Sequence, residues 1–358
     1  MKTILGAVAA LSLLASPALA QEASKWSLAI HGGAGVIERA ELTPERDAAY
    51  RAGLQAALDA GSAVLARGGS ALDAVQAAIE VMEDNPLFNA GRGAVFTAAG
   101  KNELDAAVMN GVDLTAGSVA GVTRTRHPIA AARAVMEKSP HVMMTGAGAD
   151  AFSASVGLEQ VHPAYFFTES RWQALLTALS EKGEPLPSRP AGAPPEPSRL
   201  GAPVPLALNE APLNERKFGT VGAVALDSQG RLAAGTSTGG MTAKRWGRVG
   251  DAPVIGAGTY ASNADGCAVS ATGSGEYFIR STVARDICHR TASGATVQTA
   301  AEAEIAEVGS IGGDGGVIVM GKDGSVAFSM NTSGMYRGEA GSGRASRVAI
   351  YADEEASR

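Results

Sequence analysis

The stretch WSLAIHGGAG, residues 26 to 35, opens with an apolar run and ends in glycines, which reads as a buried strand over 26–31 entering a tight turn. Two helices follow. Thr43 before Pro44 marks one start, and Ser70 with Asp73 three residues on resembles a capping box for the next. Gly68 and then Asn85-Pro86 supply the stops. From Ala94 to Val122, short apolar runs broken by AAGKNE and NGVD predict antiparallel strands, and helical periodicity returns at 128–138, 147–156 and 169–181.

The pattern then lapses. Nine of the sixteen prolines lie between Pro185 and Pro212, in a tract of proline, alanine and polar residues that is too poor in apolar positions to build a core. Beyond it TVGAVAL, the turn DSQG and RLAAGTST predict a hairpin. Pairing Leu226 with Arg231 sets Thr220 opposite Ser237, and a one-residue shift sets it opposite Thr238. Apolar runs at 254–258 and 267–271, helices at 274–290 and 295–307, and strands at 316–320 and 325–330 complete the reading. Strands and helices come in blocks, so the expected class is α+β, antiparallel sheets covered by helices.

Composition adds a destination. The first twenty residues carry Lys2, an apolar core and the small residues Ala18 and Ala20, the pattern of a cleavable signal peptide with a mature start near Gln21. A periplasmic or secreted protein is expected, since no later uncharged run is long enough for a membrane helix. Losing Lys2 takes the formal charge from -6 to -7, and the basic residues are scattered, which argues against nucleic acid and anionic membranes and for a small-molecule or dipeptide partner. Cys267 and Cys288 could pair in an oxidising compartment or remain as two buried thiols; the sequence leaves both open.

The candidate chemistry starts at Gly219-Thr220. A threonine hydroxyl needs a base, and breaking the bond before Thr220 would free an α-amine on the same residue to act as one. Gly219, without a side chain, leaves its carbonyl open to that attack, and the proline-rich tract gives the released end slack. Thr236, Ser237 and Thr238 close the partner strand. Arg248 and Asp251 suit the carboxylate and ammonium of a zwitterion, or else form a surface ion pair. Thr272 and Gly273, between a strand and a helix, could meet an oxyanion or merely cap the helix. His31 is read as a structural hydrogen-bond donor, and Asp314 as the cap of the GGDGG turn. The G-x-S-x-G match GTSTG at 235–239 ends a hairpin strand and does not form a strand-to-helix elbow, and the five histidines show no zinc spacing.

The ordered motifs HGGAG, NPLFNAGRGAVF, TVGAVALD, TSTGGMT, GRVGD, ATGSGE and GGDGGVI resemble those of the plant-type asparaginases and isoaspartyl peptidases, threonine-type N-terminal nucleophile hydrolases, from about Ile30 to Met335. The resemblance implies self-cleavage between Gly219 and Thr220. It implies an α subunit of residues 21–219, with a flexible tail over about 183–217, and a β subunit of 220–358, folded together as one four-layer αββα sandwich. A dimer of such heterodimers is implied too. Position by position, Thr220 becomes the nucleophile and Thr238 its support; Arg248 and Asp251 bind substrate, Thr272 and Gly273 form the oxyanion hole, and Asn89 lies near the nucleophile. No cofactor is implied for the chemistry. A structural sodium ion is implied on backbone carbonyls around Met82, Glu83, Asn85, Phe88, Ala90 and Arg92. Phe218 stands where many members carry histidine before the cleavage pair, and TSTGG departs from the TSTNG of glycosylasparaginases. The competing readings are a glycosylasparaginase and an amino-acid-binding protein without catalysis, in which the proline-rich tract is a linker.

Overall fold

The computed structural model describes residues 25–40, 42–195 and 219–354. The signal-peptide stretch, Phe218 and the part of the proline-rich tract from 196 to 218 lie outside the described residues. The fold is mixed α+β, as expected.

Eight strands form a large sheet in the order β12-β11-β1-β5-β6-β2-β3-β4. They are β1 (Ser27–Gly35), β2 (Leu104–Asn110), β3 (Ala116–Val122), β4 (Met143–Thr145), β5 (Val221–Leu226), β6 (Leu232–Thr238), β11 (Gly334–Gly341) and β12 (Arg344–Tyr351). Four more, β7 (Thr259–Ser262), β8 (Cys267–Gly273), β9 (Gly315–Gly321) and β10 (Val326–Met330), make a second sheet in the order β10-β9-β8-β7. All pairings are antiparallel except β3 with β4.

Side-chain alternation divides the core in two. Along β5, Val221, Ala223 and Ala225 join the cluster built with helices α1 (Pro44–Ala66), α2 (Ala71–Asp84) and α3 (Pro128–Lys138). Val224 and Leu226 point the other way, into a cluster shared with the second sheet and helices α7 (Val283–Ala292) and α8 (Val297–Ser310). The period of two therefore sends Thr220, Gly222, Thr236 and Thr238 toward the gap between the sheets.

The helix starts follow their caps. Thr43 Oγ1 accepts from Arg46 N at 3.4 Å and Ser70 Oγ from Asp73 N at 3.1 Å, each cap contributing about 1 kcal/mol. Buried Asp227 ties the hairpin turn to α2, accepting from Arg231 N at 3.1 Å and Ala71 N at 3.0 Å.

Several expectations shift. β1 continues through the glycines to Gly35, with a bulge between His31 and Gly33. Residues 94–98 form no strand, and the 254–258 run is a turn ahead of β7. The helical stretch at 274–290 breaks into α6 (Gly275–Ser281) and α7 at Thr282, whose φ of 50° is left-handed. Helices α4 (Gly146–Ser155) and α5 (Glu169–Ser180) lie within a residue of their expected bounds. Cys267 and Cys288 form a disulfide joining β8 to α7.

Candidate active site

The hairpin pairs Leu226 with Leu232 and Val221 with Ser237. This is the shifted register of the two considered, and it faces Thr220 with Thr238. Asp227 sets it by closing the turn one residue later, its N–H bonded to Arg231 O at 3.0 Å. Thr220 Oγ1 donates to Thr238 Oγ1 at 3.0 Å, and Gly240 N donates to the same oxygen at 2.9 Å. With its lone pairs taken, the Thr238 hydroxyl holds the Thr220 oxygen in one orientation.

Thr220, Thr238, Arg248, Asp251 and Gly273 all line one cavity of about 360 Å³, so the sequence candidates from three separate segments meet. Thr272 sits behind Gly273, buried, its Oγ1 accepting from Ala34 N at 3.3 Å. A hydroxyl that accepts there still has its proton to donate. Asn89 is adjacent: a Cβ on Gly219 would stand 2.7 Å from Asn89 Cβ. Its amide is engaged with backbone, Nδ2 donating to Gly240 O at 2.7 Å and Oδ1 accepting from Val95 N at 2.9 Å. Asn89 thus shapes the 239–240 turn that in turn holds Thr238.

Arg248 and Asp251 are not paired with each other. Arg248 forks onto Glu276, Nε to Oε1 at 2.9 Å and Nη2 to Oε2 at 3.0 Å, a partner that sequence reasoning passed over although Glu276 belongs to the ATGSGE motif. The hydrogen bonds from Arg248 hold the Glu276 carboxyl below its ordinary range. Asp251 is buried and its Oδ2 has no hydrogen-bond partner among the described residues. Burial raises its pKa to about 7, against the pull of the Arg248 charge. An unpartnered carboxylate in a cavity wall is poised to receive a cation. Gly275 permits this crowding, since a Cβ there would lie 2.7 Å from Asp251 Oδ1 and 2.8 Å from Arg248 Nη2.

Two further pairs support the walls. Lys244 Nζ lies 3.8 Å from Asp105 Oδ2, both buried, and Asp105 is the β2 neighbour of Thr238. Ser274 Oγ donates to Asp314 Oδ1. The glycine turn beside them is held by Asn331 instead of Asp314, Oδ1 accepting from Gly315 N at 2.8 Å and Nδ2 donating to Gly313 O at 3.1 Å. His31 is fully buried, as a structural histidine should be.

The segment expected to hold sodium curls on itself. A Cβ on Gly91 would stand 2.2 Å from Glu83 O, and one on Gly93 2.0 Å from Phe88 O. Met82 O, Asn85 O and Ala90 O each accept one backbone N–H, from Asn85, Phe88 and Gly93. Carbonyl oxygens packed against the glycines of this turn fit a hard cation held by oxygen. Among the described residues no cluster of three or more histidine, cysteine or carboxylate side chains offers another metal site.

Comparison with known proteins finds relatives along most of the chain. The family model Asparaginase_2, described as asparaginase, matches residues 24–350. Isoaspartyl peptidase of Escherichia coli K12 is 47% identical over 330 residues, covering 91% of this chain and 96% of that protein. Isoaspartyl peptidase of Salmonella typhimurium LT2 is 45% identical, covering 92% and 99%. Plant-type L-asparaginase of Thermococcus kodakarensis is 40% identical, covering 86% and 94%.

Proposed function

The chain belongs to that asparaginase family, and we propose that it is a periplasmic isoaspartyl peptidase and L-asparaginase that cleaves itself between Gly219 and Thr220. The released segments, residues 21–219 and 220–358, stay together as α and β subunits of one αββα sandwich, and two such heterodimers associate. The helix cover on the large sheet, the facing second sheet and the α7–α8 cover beyond it support that architecture. The signal-like leader and the Cys267–Cys288 disulfide suit an oxidising compartment. Sodium, when bound, would be held by the carbonyls of Glu83, Phe88 and their neighbours in the 82–92 turn, and would offset the partial negative charge of those oxygens.

In the mature enzyme the freed Thr220 amine is the base. It takes the proton of Thr220 Oγ, which attacks the side-chain amide carbonyl of asparagine or the isopeptide carbonyl of a β-aspartyl dipeptide. Gly273 N–H and the Thr272 hydroxyl receive the developing oxyanion. The amine returns the proton to the leaving nitrogen, an aspartyl-threonine ester remains, and water activated by the same amine hydrolyses it. Both substrates present the same zwitterionic end. Its ammonium meets Asp251 and its carboxylate meets Arg248, whose Nη1 makes no hydrogen bond among the described residues while Nε and Nη2 serve Glu276.

The observation that carries this reading is the Thr220 hydroxyl, fixed 3.0 Å from Thr238 Oγ1, in a cavity walled by Arg248 and an unpartnered Asp251 carboxylate. Its test is a β-aspartyl dipeptide with and without an N-acetyl group. Turnover of the free form alone is expected, because the blocked amine leaves Asp251 without its ion partner. Equal turnover of both overturns the pocket assignment.

A further inference from the structure

Beneath the nucleophile runs a chain of buried polar groups that the steps above do not use. His31 Nδ1 lies 3.0 Å from Thr220 O. A carbonyl only accepts, so Nδ1 carries the proton, and Nε2 accepts from Ser270 Oγ at 2.8 Å. Ser270 Oγ is 2.7 Å from Thr236 Oγ1, which lies 2.6 Å from Thr259 Oγ1; Thr259 Oγ1 is in turn 3.0 Å from Ala252 O, the neighbour of Asp251. His31, Thr236, Thr259 and Ser270 all have no solvent exposure. Burial takes the imidazole pKa down to about 3, against the hydrogen bond to Thr220, so the ring stays neutral through the working range of pH.

Two features show that the sequence is built around this contact. The ladder between β1 and β5 ends at His31 and Gly222, just short of Thr220, so the Thr220 carbonyl takes its hydrogen bond from the imidazole. Gly222 lies where a Cβ would be 2.0 Å from Ser270 Oγ and 2.3 Å from His31 Nε2. Any side chain at 222 would drive the pair apart.

The consequence follows from the chirality of Thr220. Its carbonyl is pinned by His31 and its Oγ by Thr238, so the third heavy substituent on Cα, the nitrogen, has one direction left. While Gly219 is attached, the peptide bond also restrains that nitrogen; after cleavage only the two pins do. We propose that His31, backed by Ser270 and Thr236, is a positioning residue that fixes the Thr220 carbonyl and thereby sets the freed amine against the threonine's own hydroxyl. The inference rests on the reading of Thr220 as the nucleophile.

The test uses full-length protein carrying Ser270→Ala, assayed on a β-aspartyl dipeptide after mass spectrometry has shown cleavage to be complete. A fall in kcat of about tenfold or more is expected with KM within about twofold, because substrate binding is untouched while the base is misaligned. Thr236→Val, one hydrogen bond further out, gives a smaller loss of the same kind. A histidine that merely fills the core would lower the melting temperature and leave kcat per folded molecule unchanged; that result, or a loss confined to KM, overturns the proposal. Nitrogen NMR of His31 supplies a readout independent of turnover: a constant Nδ1–H tautomer from pH 5 to 9 is expected, and titration within that range overturns the clamp. If wild-type protein neither cleaves nor hydrolyses the dipeptide, the nucleophile assignment has failed, and the NMR still decides whether His31 holds the carbonyl.

Discussion

Replacing Asp251 by asparagine keeps the shape of the cavity wall and removes its charge. The carboxyl in the free protein titrates near pH 7, raised by burial, so it is ionised above that pH and neutral below it. The freed Thr220 nitrogen is an α-amine, a group that ordinarily titrates at about 7.7–8.0. Both groups must be deprotonated before a zwitterionic substrate is captured and attacked, and kcat/KM reports the free enzyme. Its logarithm in the wild type should therefore fall with a slope approaching two below pH 7. At two units below its pKa only about 1% of Asp251 is ionised, which alone lowers kcat/KM about a hundredfold. Once the substrate ammonium is bound, the ion pair pulls the Asp251 pKa down, so kcat should show the single limb of the amine. In Asp251→Asn the acid limb of kcat/KM should fall to slope one. At pH 8 the loss of a charged hydrogen bond of about 1.5–3 kcal/mol lowers kcat/KM roughly 10- to 150-fold, mostly through KM. Initial rates of amino-acid release between pH 5 and 9 at constant ionic strength decide the matter. A wild-type slope of one with an unchanged limb in the variant, or a variant within twofold of wild type at pH 8, refutes the reasoning.

Further outcomes follow from the same geometry. Thr238→Val removes the oxygen shared by Thr220 Oγ1 and Gly240 N, and kcat should fall about tenfold or more with KM little changed, read from steady-state kinetics. Cys267→Ala with Cys288→Ala opens a loop of 21-residue separation that contains Thr272, Gly273 and Glu276, and should destabilise the fold by about 3 kcal/mol, seen in denaturant melts. Gly33→Ala places a Cβ 2.6 Å from Gly219 Cα at a φ of +114°, so the variant should accumulate as unbroken chain on a denaturing gel.

Much of the site was legible because its parts sit at element ends, where glycine, threonine and charge are conspicuous. Thr220, Thr238, Arg248, Asp251 and Gly273 were named from local patterns, and the cavity gathers them. Their pairing was not legible. Whether Arg248 meets Asp251 or Glu276 depends on how the 239–250 loop lies against α6, and no local pattern encodes that. The register was open by one residue because Asp227, not the strand composition, closes the turn. The α6–α7 break at Thr282 was hidden because neither glycine nor proline marks it. β11 escaped notice because Arg337 and Glu339, both buried, interrupt the apolar alternation that marks a strand, and β12 because its first four residues are exposed. β1 was cut short at His31 because its glycines suggest a turn; in the fold they let the chain pass close to Gly219 and Phe88.

The central claim is that breaking the chain before Thr220 creates the catalytic base. Intact mass and N-terminal sequencing of purified, active protein test it most directly, with Thr220→Ala as the comparison. A fragment beginning at Thr220 in the wild type, and a single inactive chain in the variant, is the outcome expected here. Full activity in an unbroken wild-type chain would contradict it.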